Sequence, residues 1–242
     1  MKEKLNLYQV NNQVLNDAID KIVVKFHSMN KSEGVKTFLF TGVGANCGTT
    51  TVGLNIAISL AEAGWKTVFV DCDLRKEQKY KRIGKEATNT LAKYLSGECS
   101  RGEEIINNTS VDNLDYIVAG DKNDKAVRLL CNVNMEKLLS SLKETYDFVI
   151  VDTPSISVAK DAEILIPNMD KYLFVSCMNM STKKQLFDVR LELSDYENKY
   201  AGIIINNLEM MQYKSIIKDY NHFSDKEMTM KLQSAMEKKG NE

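Results

Sequence analysis

The chain has 242 residues, enough for one large α/β domain, and its 32 basic residues nearly cancel its 33 acidic residues. This balance gives no electrostatic sign of nucleic-acid binding, so we expect no nucleic-acid partner. No apolar stretch approaches the roughly 18 residues that cross a bilayer, and the N-terminus is too polar for a secretory signal, which predicts a cytoplasmic protein. Five scattered cysteines are expected to be reduced thiols, and two distant histidines give little basis for a zinc site.

Residues 1–35 are predicted to form an N-terminal amphipathic helical segment. Apolar residues recur there at helical spacing, at Val10, Val14, Ala18, Ile22 and Phe26. Such a stripe needs a partner surface, which is either the same domain or another chain. The stripe therefore leaves a homodimer open.

Short apolar runs rich in β-branched and aromatic residues follow, and they predict strands that are buried on both faces. These runs are 37–41, 67–71, 115–119, 148–152, 172–177 and 202–206. Helical patterns lie between them, notably at 51–63, 134–145 and 182–198. The alternation predicts an α/β fold with a doubly wound, mostly parallel sheet over residues 36–207.

Residues 208–242 are predicted to form a C-terminal helical tail that packs on the same domain or extends from it. Met228, Leu232 and Met236 recur there at four-residue steps. These residues would give the tail a face for lipid contact. Acidic residues interrupt the basic face, however, which favours packing or fraying of the tail instead.

The first predicted strand leads into a glycine-rich segment, Gly42 to Thr51, that opens a helix as a phosphate loop does. Backbone N–H groups and the positive helix end would there face a polyphosphate. In the pattern GxxxxGK(S/T), Gly48 holds the last glycine and Thr50 the Mg²⁺-binding hydroxyl. Thr49 stands where the lysine belongs, and Val43 stands at the first glycine. The nucleotide-binding residues predicted from the loop are Gly44, Asn46, Gly48, Thr49, Thr50 and Thr51.

The missing lysine removes a charge-assisted hydrogen bond worth about 1.5–3 kcal/mol, or about ten- to hundredfold in affinity. It also removes a stabiliser of the transferred phosphoryl group, which typically lowers turnover by about two to three orders of magnitude. We therefore expect weak or absent Mg²⁺-dependent binding of ATP or ADP and no fast catalysis. A glycine-rich turn that binds no ligand is the alternative interpretation.

Two of the predicted strands end in carboxylates. One ends at Asp71 and is followed by Asp73, and another ends at Asp152. Open parallel sheets bind ligands at the carboxyl ends of their strands, and carboxylates there suit Mg²⁺ and phosphate chemistry. Aspartate at a strand end is also a common turn former, so the combination with the loop is what predicts a nucleotide site.

From about Lys36 to Asn207 the sequence resembles the bacterial tyrosine kinases (BY-kinases) of capsule and exopolysaccharide synthesis, the CpsD/CapB type. These are deviant-Walker P-loop NTPases with a fold like that of MinD and ParA. The most specific likeness is in residues 71–75, similar to that family's Walker A′ motif, and in residues 146–154 and 160–162, similar to its Walker B region.

The resemblance implies roles for single residues and for partners. Asp71 and Asp73 would handle Mg²⁺ and the attacking hydroxyl, Asp152 would hold Mg²⁺ through water, and Asn206 would contact adenine. Thr50, Asp71 and Asp152 would then form the metal site. A membrane-embedded polysaccharide co-polymerase or activator protein would be the partner, and it would hold the protein at the inner face of the membrane.

The sequence departs from the family's pattern in the modules for catalysis, ring assembly and autophosphorylation. The departures are Thr49 for the loop lysine, residues 123–126 for a Pro-Pro-Asn-Pro stretch, Asp20 and Val23 for an Arg-x-x-Arg element, and only Tyr213 and Tyr220 for a tyrosine cluster. We therefore predict a degenerate homologue that acts as a nucleotide-sensing or nucleotide-independent regulatory module and forms no arginine-dependent ring. The alternatives are a slow ATP-dependent tyrosine kinase or ATPase, and a scaffold like the positioning ATPases.

Overall fold

A computed structural model describes residues 4–7, 13–76 and 87–208 of the chain, with the side chains of residues 13 and 14 left aside. The compact unit discussed below is Met1–Asn206. The predictions for the C-terminal tail, including Met228, Leu232, Met236, Tyr213 and Tyr220, lie outside the described residues, as do those for Val10 and the side chain of Val14. The domain bounds derived from the sequence stay predictions.

Seven strands form one sheet in the order β3-β4-β2-β5-β1-β6-β7, parallel throughout except for β3, which runs antiparallel to β4. The strands are β1 Thr37–Gly42, β2 Thr67–Asp71, β3 Ile106–Asn108, β4 Leu114–Ile117, β5 Phe148–Asp152, β6 Lys171–Cys177 and β7 Tyr200–Asn206. Each strand predicted from the sequence is present, which confirms the doubly wound, mostly parallel sheet. The edge strand β3 was not predicted, because its three residues, two partly buried and one exposed, carry no apolar pattern.

Helices cover both faces of the sheet. They are α1 Gln13–Glu33, α2 Thr49–Glu62, α3 Leu91–Ser96, α4 Ala126–Leu130, α5 Val133–Thr145, α6 Asp161–Leu165 and α7 Lys183–Glu192. The predicted helix 182–198 is wrong beyond Glu192, where a 3₁₀ turn, Ser194–Lys199, takes over. Leu193, the first residue after the helix, has a non-helical backbone with φ −101° and a fully buried side chain. The helix therefore ends where this side chain packs into the core.

Alternate residues of the strands contribute to two apolar layers. Phe38, Phe40 and Ile150 face the layer that includes α2, whereas Leu39 and Val149 face the layer that includes α5. Because every residue of β1, β2 and β5 is buried, the strand ends are the places where polar side chains can reach solvent. This architecture brings the loop after β1 and the ends of β2 and β5 to one edge.

The apolar stripe of α1 packs on its own domain. Phe26 is buried and stacks on Phe38 with ring centroids 3.8 Å apart, while Ile22 and Val23 are partly buried against the same layer. Asp20 accepts a hydrogen bond from the Ser59 hydroxyl of α2 at 3.3 Å. The described part of the stripe is thus covered within the chain, so a dimer through this face gains no support.

Within the described ranges, none of the helices combines the length and the apolarity that a membrane span requires.

Candidate functional site

The loop between β1 and α2 has the backbone shape of an anion cradle. Asn46 has φ 59° and Gly48, the residue before α2, has φ 80°. Glycine adopts this region without strain, and asparagine tolerates it better than other side chains do. No side chain caps the start of α2, so its first N–H groups face the loop's concavity.

Asn206, at the end of β7, holds this loop from one side. Its side-chain nitrogen donates to the Cys47 carbonyl at 3.0 Å, and a Cβ placed on Gly48 would lie 2.4 Å from that nitrogen. Only glycine fits beneath the asparagine. Asn206 therefore lies next to the loop, as expected for a nucleotide contact, but its amide nitrogen bonds to the loop backbone.

The segment after β5 fastens the loop from the other side. The Ser155 hydroxyl donates to the Gly44 carbonyl, and Thr153 Oγ1 donates to the Phe40 carbonyl at 2.9 Å. Thr41 Oγ1 in turn donates to the Pro154 carbonyl at 2.8 Å. Ser155 was missed by sequence reasoning, since a serine three residues after a strand carries no distinctive pattern.

Thr50 and Asp152 meet at the base of the site, where Thr50 Oγ1 donates to Asp152 Oδ2 at 2.6 Å. Asp71 lies beside Asp152, because the two residues are register partners on neighbouring strands β2 and β5. The backbone N–H of Asp73 donates to Asp71 Oδ1 at 3.0 Å. The sequence-predicted acids and the loop are thus brought together.

A cavity of about 280 Å³ opens in front of the loop. It is lined by Asn46, Cys47, Gly48, Thr49, Thr50, Thr51, Asp73, Lys76, Thr153, Pro154 and Ser155. Asp71 and Asp152 are almost fully buried behind it and do not line it, and neither do Gly44 and Asn206. Of the acids predicted to be catalytic, Asp73 is the one that reaches the cavity.

The arrangement fits the metal part of a Mg²⁺–nucleotide complex. Among the described residues, no three acidic, histidine or cysteine side chains come together to enclose an ion. Mg²⁺ at nucleotide sites needs no such cage, because waters and phosphate oxygens supply most of its ligands. Thr50 and Asp152 would hold it at the base of the cavity, and the bound ion would neutralise phosphate charge there. The lysine part of the site does not fit, since Thr49 is neutral.

A buried phenol lies close to the two deep carboxylates. Burial, together with the charges of Asp71 and Asp152, raises the pKa of Tyr116 well above its ordinary value. Within the described part of the chain its hydroxyl has no hydrogen-bond partner. Tyr116 is therefore neutral, and its ring packs beside Phe69 with centroids 5.1 Å apart. The two carboxylates therefore lie in buried surroundings of low dielectric constant, which strengthens their attraction for a cation.

An ion pair between Arg75 and Asp161 holds the segment after β2 to the start of α6. Arg75 donates through Nε to Asp161 Oδ2 at 2.9 Å and through Nη2 to Asp161 Oδ1 at 2.7 Å, and the Asp161 side chain is fully buried. This two-bond geometry fixes the guanidinium plane. The sequence motifs contain both residues, but nothing in the sequence pairs them across this separation.

The comparisons with known proteins agree with this geometry. The sequence profile of a family described as an AAA domain matches residues 42–174. The tyrosine-protein kinase CpsD of Streptococcus agalactiae is 30% identical over 176 residues, which cover 72% of this chain and 76% of that protein. The kinase domain of the Escherichia coli tyrosine kinase ETK has a TM-score of 0.74 at 24% identity, covering 79% of this chain and 75% of that domain. The septum site-determining protein MinD of Pyrococcus horikoshii, complexed with Mg-ADP, has a TM-score of 0.58 at 21% identity, covering 70% of this chain and 69% of that one.

Proposed function

This chain belongs to the family of CpsD-type bacterial tyrosine kinases among the P-loop ATPases, and from that premise we propose that it is a degenerate member. It binds Mg²⁺ with ADP or ATP weakly. It acts as a nucleotide-sensing regulatory module in capsular or exopolysaccharide synthesis, and interaction with a partner is its main work.

One observation supports the proposal: Thr50 and Asp152, which are expected to hold Mg²⁺, bond to each other, whereas the phosphate loop lacks its lysine. Thr50 lines the cavity and its Oγ1 donates at 2.6 Å to Oδ2 of Asp152, which is buried behind it, while Thr49 occupies the place of the lysine. Metal-assisted nucleotide binding needs the first group, whereas stabilising a transferring phosphoryl group needs the lysine as well. Binding without fast turnover follows from this division.

Titration calorimetry with ADP and ATP, with and without Mg²⁺, tests nucleotide binding. We expect measurable affinity that depends on Mg²⁺. The variant Thr50→Val keeps the side-chain shape but removes the hydroxyl, so it should lose most of the Mg²⁺ dependence. Absence of any binding by the unaltered chain at millimolar nucleotide would refute the proposal.

A slow tyrosine kinase or ATPase is the second candidate, and Asp73 favours it because this acid lines the cavity. Turnover of radiolabelled ATP separates the two candidates. The regulatory proposal expects a rate far below the roughly 1 s⁻¹ of an ordinary kinase. A rate at that level would establish the enzyme and remove the degenerate interpretation.

The proposed partner is a membrane-embedded polysaccharide co-polymerase or activator protein, which would hold this chain at the inner face of the membrane. Support comes from family membership, since a relative from Klebsiella pneumoniae is described as a putative tyrosine-protein kinase in the cps region. Vesicle flotation with each candidate partner tests the association. Failure to float with any of them would count against it.

Ring assembly is not expected, and a monomer or dimer is proposed instead. Asp20 bonds to Ser59 and Val23 packs against the core, and neither side chain reproduces the forked hydrogen bonds of a guanidinium. Light scattering at micromolar concentration is the test. A mass corresponding to an octamer would contradict this expectation.

A further inference from the structure

Lys76 places a positive charge at the rim of the cavity, in the loop that follows β2. Its Nζ lies 3.1 Å from Asp73 Oδ2, and its side chain is 56% exposed. Of the described residues that line the cavity, Lys76 alone is cationic and Asp73 alone is anionic. The other lining residues, Thr49 among them, are neutral.

A bound nucleotide needs a cation at this position. A nucleoside diphosphate or triphosphate brings about three or four negative charges, of which one Mg²⁺ neutralises two. The protein around the phosphates adds the charge of Asp73, with Asp71 and Asp152 buried behind it. Without a lysine in the loop, the terminal phosphates would face a negative surface.

We propose that Lys76 takes over the role of the missing loop lysine and binds the terminal phosphates of the nucleotide from the loop that follows β2. This inference rests on the proposed nucleotide binding. A lysine side chain is long and flexible, so its ammonium group can turn from Asp73 to a phosphate oxygen. The Lys76 side chain is more than half exposed although Asp73 is buried, so water screens the pair from the lysine side, and a hydrogen bond from an ammonium to a phosphate is strong enough to replace it.

The opposing possibility is that Lys76 only neutralises Asp73. In that case its loss would leave the Asp73 carboxylate unneutralised, and removing that charge too, in Asp73→Asn/Lys76→Gln, should restore ADP binding. A phosphate-binding role instead predicts that ADP binding stays weakened in this double variant, because the phosphates have still lost their cation. This difference defines the experiment.

Calorimetry with Mg²⁺ compares ADP and AMP on the unaltered chain and on Lys76→Gln, with Lys137→Gln as the control. Lys137 is exposed on α5 and does not line the cavity. We expect Lys76→Gln to weaken the binding of ADP about tenfold, which is the fold-change of one charge-assisted bond, and to weaken the binding of AMP about twofold or less. Lys137→Gln should change neither, and equal melting temperatures would show that the fold is intact. Equal weakening of ADP and AMP binding, no weakening, or recovery of ADP binding in Asp73→Asn/Lys76→Gln would overturn the inference.

A double variant tests replacement directly. Thr49→Lys/Lys76→Gln carries one lysine, as the unaltered chain does, but carries it in the phosphate loop, so it should bind ADP more tightly than the unaltered chain and within about threefold of Thr49→Lys. In the Thr49→Lys background the loss of Lys76 should matter clearly less than in the unaltered chain. If Lys76→Gln weakens ADP equally in both backgrounds, the two positions act independently and replacement is excluded. If the unaltered chain binds no ADP at all, the proposed function fails first and the role of Lys76 fails with it.

Discussion

The two ends of the sheet use charge in opposite ways. At the amino end of the strands, Asp170 accepts hydrogen bonds from the backbone N–H groups of Lys36 at 2.9 Å and Thr37 at 3.0 Å, and it pairs with Lys143. The Lys36 ammonium donates to the carbonyls of Lys143 and Tyr146, at 3.1 Å each. This end joins β1, α5 and the start of β6 through oppositely charged and hydrogen-bonded groups.

At the carboxyl end, acids gather with acids. Asp71 and Asp152 are neighbours in register and Asp73 follows two residues later, while the lysine of the cavity lies at its exposed rim. The same strands, β1 and β5, contribute to both ends. The charges of the first end hold elements of the fold together, whereas under the proposed function those of the second end would meet a cation and a phosphate from outside. Substitutions at the two ends should therefore separate stability from binding.

The largest expected effect is loss of stability at the amino end. Asp170→Ala removes the acceptor for two backbone N–H groups and the partner of Lys143, which should lower the free energy of unfolding by about 2–4 kcal/mol. Under conditions in which the variant is still folded, below the midpoint of its unfolding transition, its affinity for nucleotide should equal that of the unaltered chain. Urea denaturation measures the first quantity and calorimetry the second. The control Asp112→Ala removes an exposed ion pair to Lys4 and should leave stability unchanged within error.

The converse is expected of Asp152→Asn at the carboxyl end. The amide oxygen can still accept from Thr50, but the charge that attracts Mg²⁺ is lost, so the Mg²⁺-dependent affinity for ADP should fall about ten- to hundredfold. Stability should stay equal or rise, because one of two adjacent carboxylates becomes neutral. A stability loss as large as that of Asp170→Ala would show that the two ends do not differ in kind.

The sequence predicted the carboxyl end better than the amino end, and the reason is physical. Strand ends in a parallel sheet share one edge, so Asp71, Asp152 and the loop before Thr50 could be placed together from their strands alone. The pairing of Asp170 with Lys143, and that of Arg75 with Asp161, depends on how helices pack on the sheet. No local pattern encodes that packing.

The same limit applies to elements of the fold. Periodicity identified the central strands and α2, whereas the three-residue β3 and the end of α7 at Glu192 are decided by tertiary contacts. A related reason explains why the sequence did not identify Lys76. This residue follows the Walker A′ segment, but its place at the rim of the cavity is visible only once β2 and the phosphate loop are side by side.

A more modest effect is expected where the site lacks its lysine. Thr49→Lys restores a charge in the first turn of α2 and should tighten ADP binding by about tenfold. Thr49→Met, which adds length without charge, is the matched control and should not tighten binding. Calorimetry with Mg²⁺ measures both. If Thr49→Lys gives no gain, the defect extends beyond the lysine, for instance to Val43, which stands at the place of the first glycine of the loop.

The smallest expected effect is a pH dependence of stability that comes from Asp170 at the amino end. Partial burial by itself would raise the pKa of Asp170, but the hydrogen bond from Lys143 and those from the backbone of Lys36 and Thr37 outweigh burial and hold the pKa below its ordinary value. A carboxyl group with a lowered folded pKa stabilises the fold fully above its unfolded pKa of about 4, and this contribution is lost as the pH falls through the folded pKa. The isosteric variant Asp170→Asn cannot titrate, so its stability deficit relative to the unaltered chain should be constant from pH 7 to 5 and should shrink below about pH 4. Urea unfolding at each pH measures the deficit. A deficit that persists unchanged at low pH would mean that the charge of Asp170 contributes nothing and that the shape of its hydrogen bonds alone holds this end of the sheet.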